Sequence, residues 1–138
     1  MLIDTSAWSR IGHPSLPASR ANDIADALEQ GSLIVCLPFL LEAGYSARDA
    51  SDHARVQEEL QALPSVGIDE EVERDALDAQ GRLARTGHHR ISPADIIIAT
   101  LADRHGLGVL HYDSDFEHIL ERTHLRFESI WLAERGTL

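Results

Sequence analysis

The sequence has no lysine: all twelve of its basic residues are arginines. That absence removes several chemistries at once. A P-loop places a lysine at the phosphates, a receiver-type phosphoacceptor domain keeps one beside its aspartate, and Schiff-base catalysis requires an amine. Cysteine is almost as scarce, and Cys36 standing alone cannot form an internal disulfide. The opening MLIDTSAWSR reaches an acid at position 4 without an apolar core of the signal-peptide kind, so a cytoplasmic protein is expected. No apolar stretch approaches the roughly 20 residues a membrane helix needs; the longest candidates, around Leu33 to Leu41 and Ile96 to Ile98, are interrupted or short. Positive charge is outnumbered, with 23 acids against 12 bases and a formal net charge of −11. Broad neutralisation of duplex nucleic acid, which shows as a basic face, is therefore not expected.

What is present fits one folded unit. A chain of 138 residues, 43% apolar and 25% charged, has ordinary globular proportions, and a domain of that size buries roughly 68% of the surface its unfolded form exposes. We find no repeat, low-complexity segment or linker, so residues 1–138 read as a single domain. Met1 to Asp4 reads as a buried strand handing over to a helix through Trp8 and Ile11. Residues 18–30 form a helix stopped by Gly31, Leu33 to Leu37 a second strand closed by Pro38, and Phe39 to Ala47 and Ser51 to Leu63 two more helices. Ser65 to Ile68 reads as a short strand. A helix ending near Gly87 follows, braced by the acid-before-base pairs Glu70/Arg74 and Asp78/Arg82. Ser92, with Pro93 and Asp95, opens a helix to His105 in the manner of a capping box, and Ser114 with Glu117 repeats that spacing. Leu107 to Tyr112 and Leu125 to Ile130 complete the strands. Strands alternating with helices predict an α/β, three-layer α/β/α fold around a central, mainly parallel sheet of four to five strands.

Against this apolar pattern, carboxylates stand where burial should exclude them. Asp4 follows Met1-Leu2-Ile3, Glu42 interrupts Phe39-Leu40-Leu41, Asp95 precedes three isoleucines, and Asp113 follows Val109-Leu110-His111-Tyr112. In an open parallel sheet the carboxyl ends of strands face one crevice, and Asp4 and Asp113 both fall at such ends. Two like charges 4 Å apart repel by about 4 kcal/mol at an effective dielectric near 20, so a cluster of ionised acids opposes folding unless a cation joins it. All-oxygen donors select Mg²⁺, with Mn²⁺ as a possible substitute, over zinc. Each acid also has a plainer reading: Asp4 as a helix cap, Asp95 as a capping-box acid, Glu42 as the polar stripe of an amphipathic helix, Asp113 and Asp115 as turn residues. His111 is expected to pack at a strand end and Cys36 in the core. Arg82, Arg85 and Arg90, in an acid-free stretch with His88 and His89, are either phosphate contacts or complements to a helix dipole.

The segments LIDTSAW (2–8), LLEAGYSA (40–47), SPADIIIATLA (92–102) and HYDSDFEHI (111–119) together resemble the ordered acidic motifs of PIN-domain ribonucleases, in particular the VapC toxins of type II toxin–antitoxin systems. The resemblance extends over essentially the whole chain. It implies a Mg²⁺-dependent endoribonuclease with Asp4, Glu42, Asp95 and Asp113 as catalytic acids, of which Asp4, Asp95 and Asp113 hold the metal. Ser6 and Asp115 would be accessory residues, and Arg82, Arg85 and Arg90 candidates for RNA contact. It also implies a homodimer, a VapB-type antitoxin that obstructs the site in a toxin–antitoxin hetero-oligomer, and RNA products with 5′-phosphate and 3′-hydroxyl ends. Two competing readings are a catalytically silent PIN-like module that binds RNA or antitoxin, and a haloacid-dehalogenase-type phosphatase. The latter needs an aspartate where this chain has Ser6, and normally a lysine.

Overall fold

Five short apolar runs supply the strands. In the computed structural model, which describes residues 1–138, they are β1 (Leu2–Ile3), β2 (Val35–Cys36), β3 (Ser65–Val66), β4 (Val109–His111) and β5 (Ser129–Trp131). All pairings are parallel. β1 pairs with β4 in the register Leu2 to Val109, β4 pairs with β5, and β2 pairs with β3. A bridge between Leu2 and Ile34 joins the two groups, with Ile3 N–H donating to Ile34 O at 3.1 Å and Ile34 N–H to Met1 O at 2.9 Å. The combined order is β3-β2-β1-β4-β5, so the chain reverses direction of travel between β1 and β4. In parallel α/β sheets that switch point is where a crevice opens at the carboxyl ends of the strands.

Seven helices connect the strands: α1 (Thr5–Trp8), α2 (Ala18–Glu29), α3 (Leu37–Tyr45), α4 (Ala50–Gln61), α5 (Glu70–Arg85), α6 (Pro93–His105) and α7 (Asp115–Arg122). With right-handed crossovers, connections travelling from β1 toward β3 and those travelling from β3 toward β5 cover opposite faces. The packing agrees: α3 lies on α4, while α5 lies on α6 and both touch α7. This gives the three-layer α/β/α arrangement expected. The three isoleucines are helical because α6 is the central helix. Ile96, Ile98, Ala99, Leu101 and Ala102 are all buried, and a helix apolar on nearly every side belongs in a core. The core cluster of 26 residues is anchored by Phe39 and Phe116, with Trp8 edge-on to Phe39 at 6.2 Å. At Gly44 any Cβ would stand 2.8 Å from Gln57 Nε2, so the glycine leaves the space through which the Gln57 side chain reaches Leu40 O.

Several local expectations are corrected. The run Leu33 to Leu37 keeps strand geometry only to Cys36, because Pro38 sits in the first turn of α3 and starts that helix early. Residues 125–128 are not ladder strand. Leu125 N–H bonds to Thr123 Oγ1 and Arg126 N–H to Asp103 Oδ1, and β5 starts only at Ser129. The Asp78–Arg82 pair forms at 2.9 Å, whereas Glu70 and Arg74 form no ion pair. Neither Ser92 nor Ser114 caps its helix through the side chain. Glu117, expected in a capping box, turns instead to Ser129 and Trp131.

Candidate active site

The end of β1 delivers the first acid. Asp4 caps α1, its Oδ2 accepting Ser6 N–H at 2.8 Å and the Ser6 hydroxyl as well. The same hydroxyl oxygen accepts Tyr112 N–H at 2.9 Å, so Ser6 fastens the end of β1 to the end of β4. The capping role uses one carboxylate oxygen only. The other, Oδ1, is buried and has no partner in the protein. Asp4 thus caps the helix with one oxygen and leaves the other free, so the capping role does not use up its carboxylate.

Three further elements converge on the same point. Glu42 projects from α3 and its Oε2 accepts the Thr5 hydroxyl at 2.6 Å. Asp95, in the first turn of α6, is 6% exposed; with Ser92 making no cap bond, its carboxylate serves no capping box. Asp113 follows β4, and its Oδ1 accepts Asp115 N–H at 3.0 Å, which is the turn chemistry one would expect there. Beyond that turn, carboxylate oxygens of Asp95, Asp113 and Asp115 lie within 4.8 Å of one another. Asp4, Glu42, Asp95 and Asp113 line one cavity of about 340 Å³ with Thr5, Ser6, Ser9, Ser46 and Ser92, and no hydrophobic residue contributes to its wall. Asp115 belongs to the tightest group of oxygens, while Asp4 faces the cavity from the β1 side.

Burial and mutual repulsion set the electrostatics. The Asp95 carboxyl is pushed up to about 8, first by burial and then by Asp4, Asp113, Glu42 and Asp115. Burial also raises Asp4, opposed by its Ser6 hydrogen bonds, and burial with the Asp113 charge raises Asp115. An unpartnered buried carboxylate oxygen beside an acid that keeps its proton near neutral pH is a site lacking positive charge. The donors are all hard oxygens, with no thiolate or imidazole on the cavity wall, a set that suits a hard dication such as Mg²⁺ or Mn²⁺ better than zinc.

Sequence reasoning missed the support beneath Asp113. His111 is fully buried, its Nδ1 accepting Asp113 N–H at 3.2 Å and its Nε2 lying 2.8 Å from Ser129 Oγ. Ser129 in turn donates to Glu117, which also accepts Trp131 Nε1–H at 3.1 Å. The Nδ1 acceptor role fixes the proton on Nε2. Burial lowers the His111 pKa and keeps the ring neutral. Only the register of β4 on β5 brings these residues together. The arginines expected to meet RNA do not line the cavity: Arg82 is paired with Asp78, and Arg85 and Arg90 are exposed and unpaired.

Comparison with known proteins now bears on this geometry. The PIN domain model matches residues 1–121. The chain belongs to the PIN-domain family. Within that family it falls with the VapC ribonucleases. It is 37% identical over 138 residues to Ribonuclease VapC21 of Mycobacterium tuberculosis, covering 99% of this chain and 96% of the relative. It is 32% identical over 139 residues to Ribonuclease VapC18 of the same species, covering 99% and 97%. Among solved structures, the DNA-bound VapBC complex from Salmonella typhimurium superposes with a TM-score of 0.72 at 19% identity, covering 96% of this chain and 97% of the other, which establishes the shared PIN fold. All four ordered acids fall inside the matched PIN segment. No helix of this VapC-family chain is long and apolar enough to cross a membrane.

Proposed function

We propose that this protein is a Mg²⁺-dependent endoribonuclease toxin that hydrolyses RNA phosphodiester bonds in the cytoplasm and is silenced by a cognate VapB-type antitoxin. The observation that carries the reading is the convergence of acids from β1, α3, α6 and the β4–α7 turn on one polar cavity, where Asp4 Oδ1 has no partner and Asp95 resists ionisation. The ribonucleases it resembles over nearly their whole length, and the VapBC complexes that share its fold, point to the same substrate and to the same kind of partner.

Asp4, Asp95 and Asp113, with Asp115 alongside, are the residues that would hold the dication. Once bound, such an ion lowers the pKa of water and stabilises negative charge developing on phosphoryl oxygens. The protein's own groups do the rest. Ser6 fixes Asp4 through two hydrogen bonds and leaves Oδ1 facing the cavity. Thr5 holds one oxygen of Glu42, leaving the other to accept a proton from the attacking water. Water as nucleophile needs no 2′-hydroxyl, so 5′-phosphate and 3′-hydroxyl ends are expected. Arg85 and Arg90, free of ion pairs, are candidates for RNA contact, whereas Arg82 would first have to leave Asp78. A homodimer is expected from the family.

Asp4→Asn tests the assignment. The variant should fold normally and lose cleavage of total RNA in Mg²⁺ by at least about 10², the scale on which a transition-state electrostatic contact is felt. Cleavage at the wild-type rate by this variant would show the site to be misassigned.

A further inference from the structure

Outside the acidic cavity, the least satisfied polar groups of the molecule lie on α7. Asp115, His118 and Arg122 are spaced i, i+3 and i+7 and share one helix face, while Phe116, Ile119 and Thr123 are the buried side of the same helix. The face that brings Asp115 to the acids therefore continues past His118 to Arg122, about 10 Å further along the axis at 1.5 Å per residue. The His118 ring lies against the His88 ring, centroids 4.8 Å apart and tilted by 31°. His88 reaches it because the end of α5 is closed by paired bonds. Gly87, at φ +78, allows His88 N–H to return to Leu83 O at 2.8 Å and its own N–H to reach Ala84 O at 3.1 Å. His88 O then accepts Ile91 N–H, and Ile91 is buried, so the histidine is held from both sides.

The three side chains lie together near Asp115 and Glu121, yet neither acid forms an ion pair with Arg122. Arg122 Nε and His118 Nδ1 are buried atoms with no hydrogen-bond partner, and Arg122 joins no ion pair. A buried donor left unpaired opposes folding unless something outside the protein meets it. A guanidinium serving only the dipole at the end of α7 would have no need to be sunk in this way. Burial first, then the charges of Arg122 and His118, lower His88, opposed by Asp115 and Glu121. Arg122 carries the permanent charge and the imidazoles offer N–H donors.

We propose that His88, His118 and Arg122 form a subsite for an RNA phosphate neighbouring the one that is cleaved. The inference rests on the nuclease reading above and deepens it. The dication site takes the scissile phosphate, and α7 provides a second point of attachment along the strand, setting its direction across the cavity.

The test uses the full chain, a fluorescein-labelled single-stranded oligoribonucleotide, binding by anisotropy in Ca²⁺, and cleavage in Mg²⁺. Arg122→Ala should weaken binding, reduce the slope of log K against log salt by about 0.7, the value for one phosphate contact on a single strand, and raise KM with little change in kcat. Arg122→Lys should restore the slope. Arg55→Ala, which removes an exposed arginine on α4, should change neither quantity, and melting temperatures report whether each variant folds. A neutral methylphosphonate walked through the oligonucleotide should abolish the effect of Arg122→Ala when it occupies one linkage beside the cleaved bond. An unchanged slope and KM, or an Arg122→Ala effect equal at every linkage, overturns the subsite. Cleavage with no dependence on Arg122 removes the subsite and leaves the nuclease reading standing. Arg122-dependent binding without any cleavage removes the nuclease and leaves the subsite. Absence of binding removes the subsite.

Discussion

Replacing Asp95 by asparagine should make the metal-free protein more stable, and the structure fixes both the sign and the pH window. In the unfolded chain an aspartate titrates near 3.8, whereas in the fold Asp95 keeps its proton to about 8. Between those values the native state binds more protons than the unfolded state, so stability falls as pH rises through the window and levels off above it. The shift of about 4 units, at 1.36 kcal/mol per unit, sets a ceiling of about 5 kcal/mol at pH 8. Water entering the open cavity and relaxation of the neighbouring acids reduce this, and about 2 kcal/mol is the working figure. Asparagine preserves the shape and removes the charge that faces Asp4, Asp113, Glu42 and Asp115. Urea denaturation in EDTA at several pH values between 4 and 8.5 is the assay. Wild type should lose stability across that range, and the variant should lose less, by up to one proton's worth of slope. Mg²⁺ should then reverse the ranking, raising the wild-type midpoint far more than that of the variant. Parallel pH profiles for the two proteins, with no differential effect of Mg²⁺, would refute the claim that these carboxylates repel one another in a common pocket.

Two other residues report on how the acids are held. Ser6→Ala removes the hydroxyl shared by Asp4 and Tyr112 N–H, leaving a partly buried donor unpaired; we expect a loss of about 1–3 kcal/mol in denaturant unfolding, and no loss would mean that water replaces the hydroxyl. His111→Phe keeps the packing against Phe116 and Trp131 but deletes the acceptor for Asp113 N–H. Its Mg²⁺ affinity by calorimetry should fall by about tenfold, as for other groups that orient a ligand from behind. Unaltered affinity would show that Asp113 needs no such support.

The parts of this molecule that could be read from sequence are those governed by local patterns. Acids following apolar runs marked Asp4 and Asp113 because an aspartate after a parallel strand falls at the carboxyl end of the sheet, where the crevice opens. Length and the stop at Gly106 decided for a helix over Ile96 to Ile98. What could not be read involved a choice between partners. Ser92 and Ser114 have cap spacing, yet neither side chain caps, and Glu117 prefers Ser129 and Trp131, which only the β4–β5 register brings near. Thr5 opens α1 and is also the hydrogen-bond donor to Glu42, 37 residues away. Asp115 joined the tight carboxylate group because the turn at Asp113 aims it there. His88 and His118 are 30 positions apart, and no periodicity connects a loop after one helix to the face of another.

The net charge of −11 bears directly on how such a protein would meet a polyanion. At physiological ionic strength charges further than about 8 Å from a phosphate are largely screened. The distant acids of α2, α4 and α5 therefore matter less than the few groups around the cavity. There the account is unfavourable as long as only protein is considered. Asp4, Glu42, Asp95, Asp113 and Asp115 carry up to five negative charges and Arg10, held over the Tyr112 ring at 4.9 Å, is bonded to Ser6 O. A single dication, whose binding displaces the proton from Asp95, removes two of those charges, which still leaves the pocket negative. An RNA strand brought there needs further positive charge close to one of its other phosphates. On the proposal above, Arg122 with His118 and His88, further along the α7 face that carries Asp115, meets a neighbouring phosphate of the strand without adding a cation to the cavity itself, where it would pair with the acids. An acidic nuclease of this design is thus self-limiting. It has little hold on RNA in general, and its affinity should depend on the dication as strongly as its chemistry does.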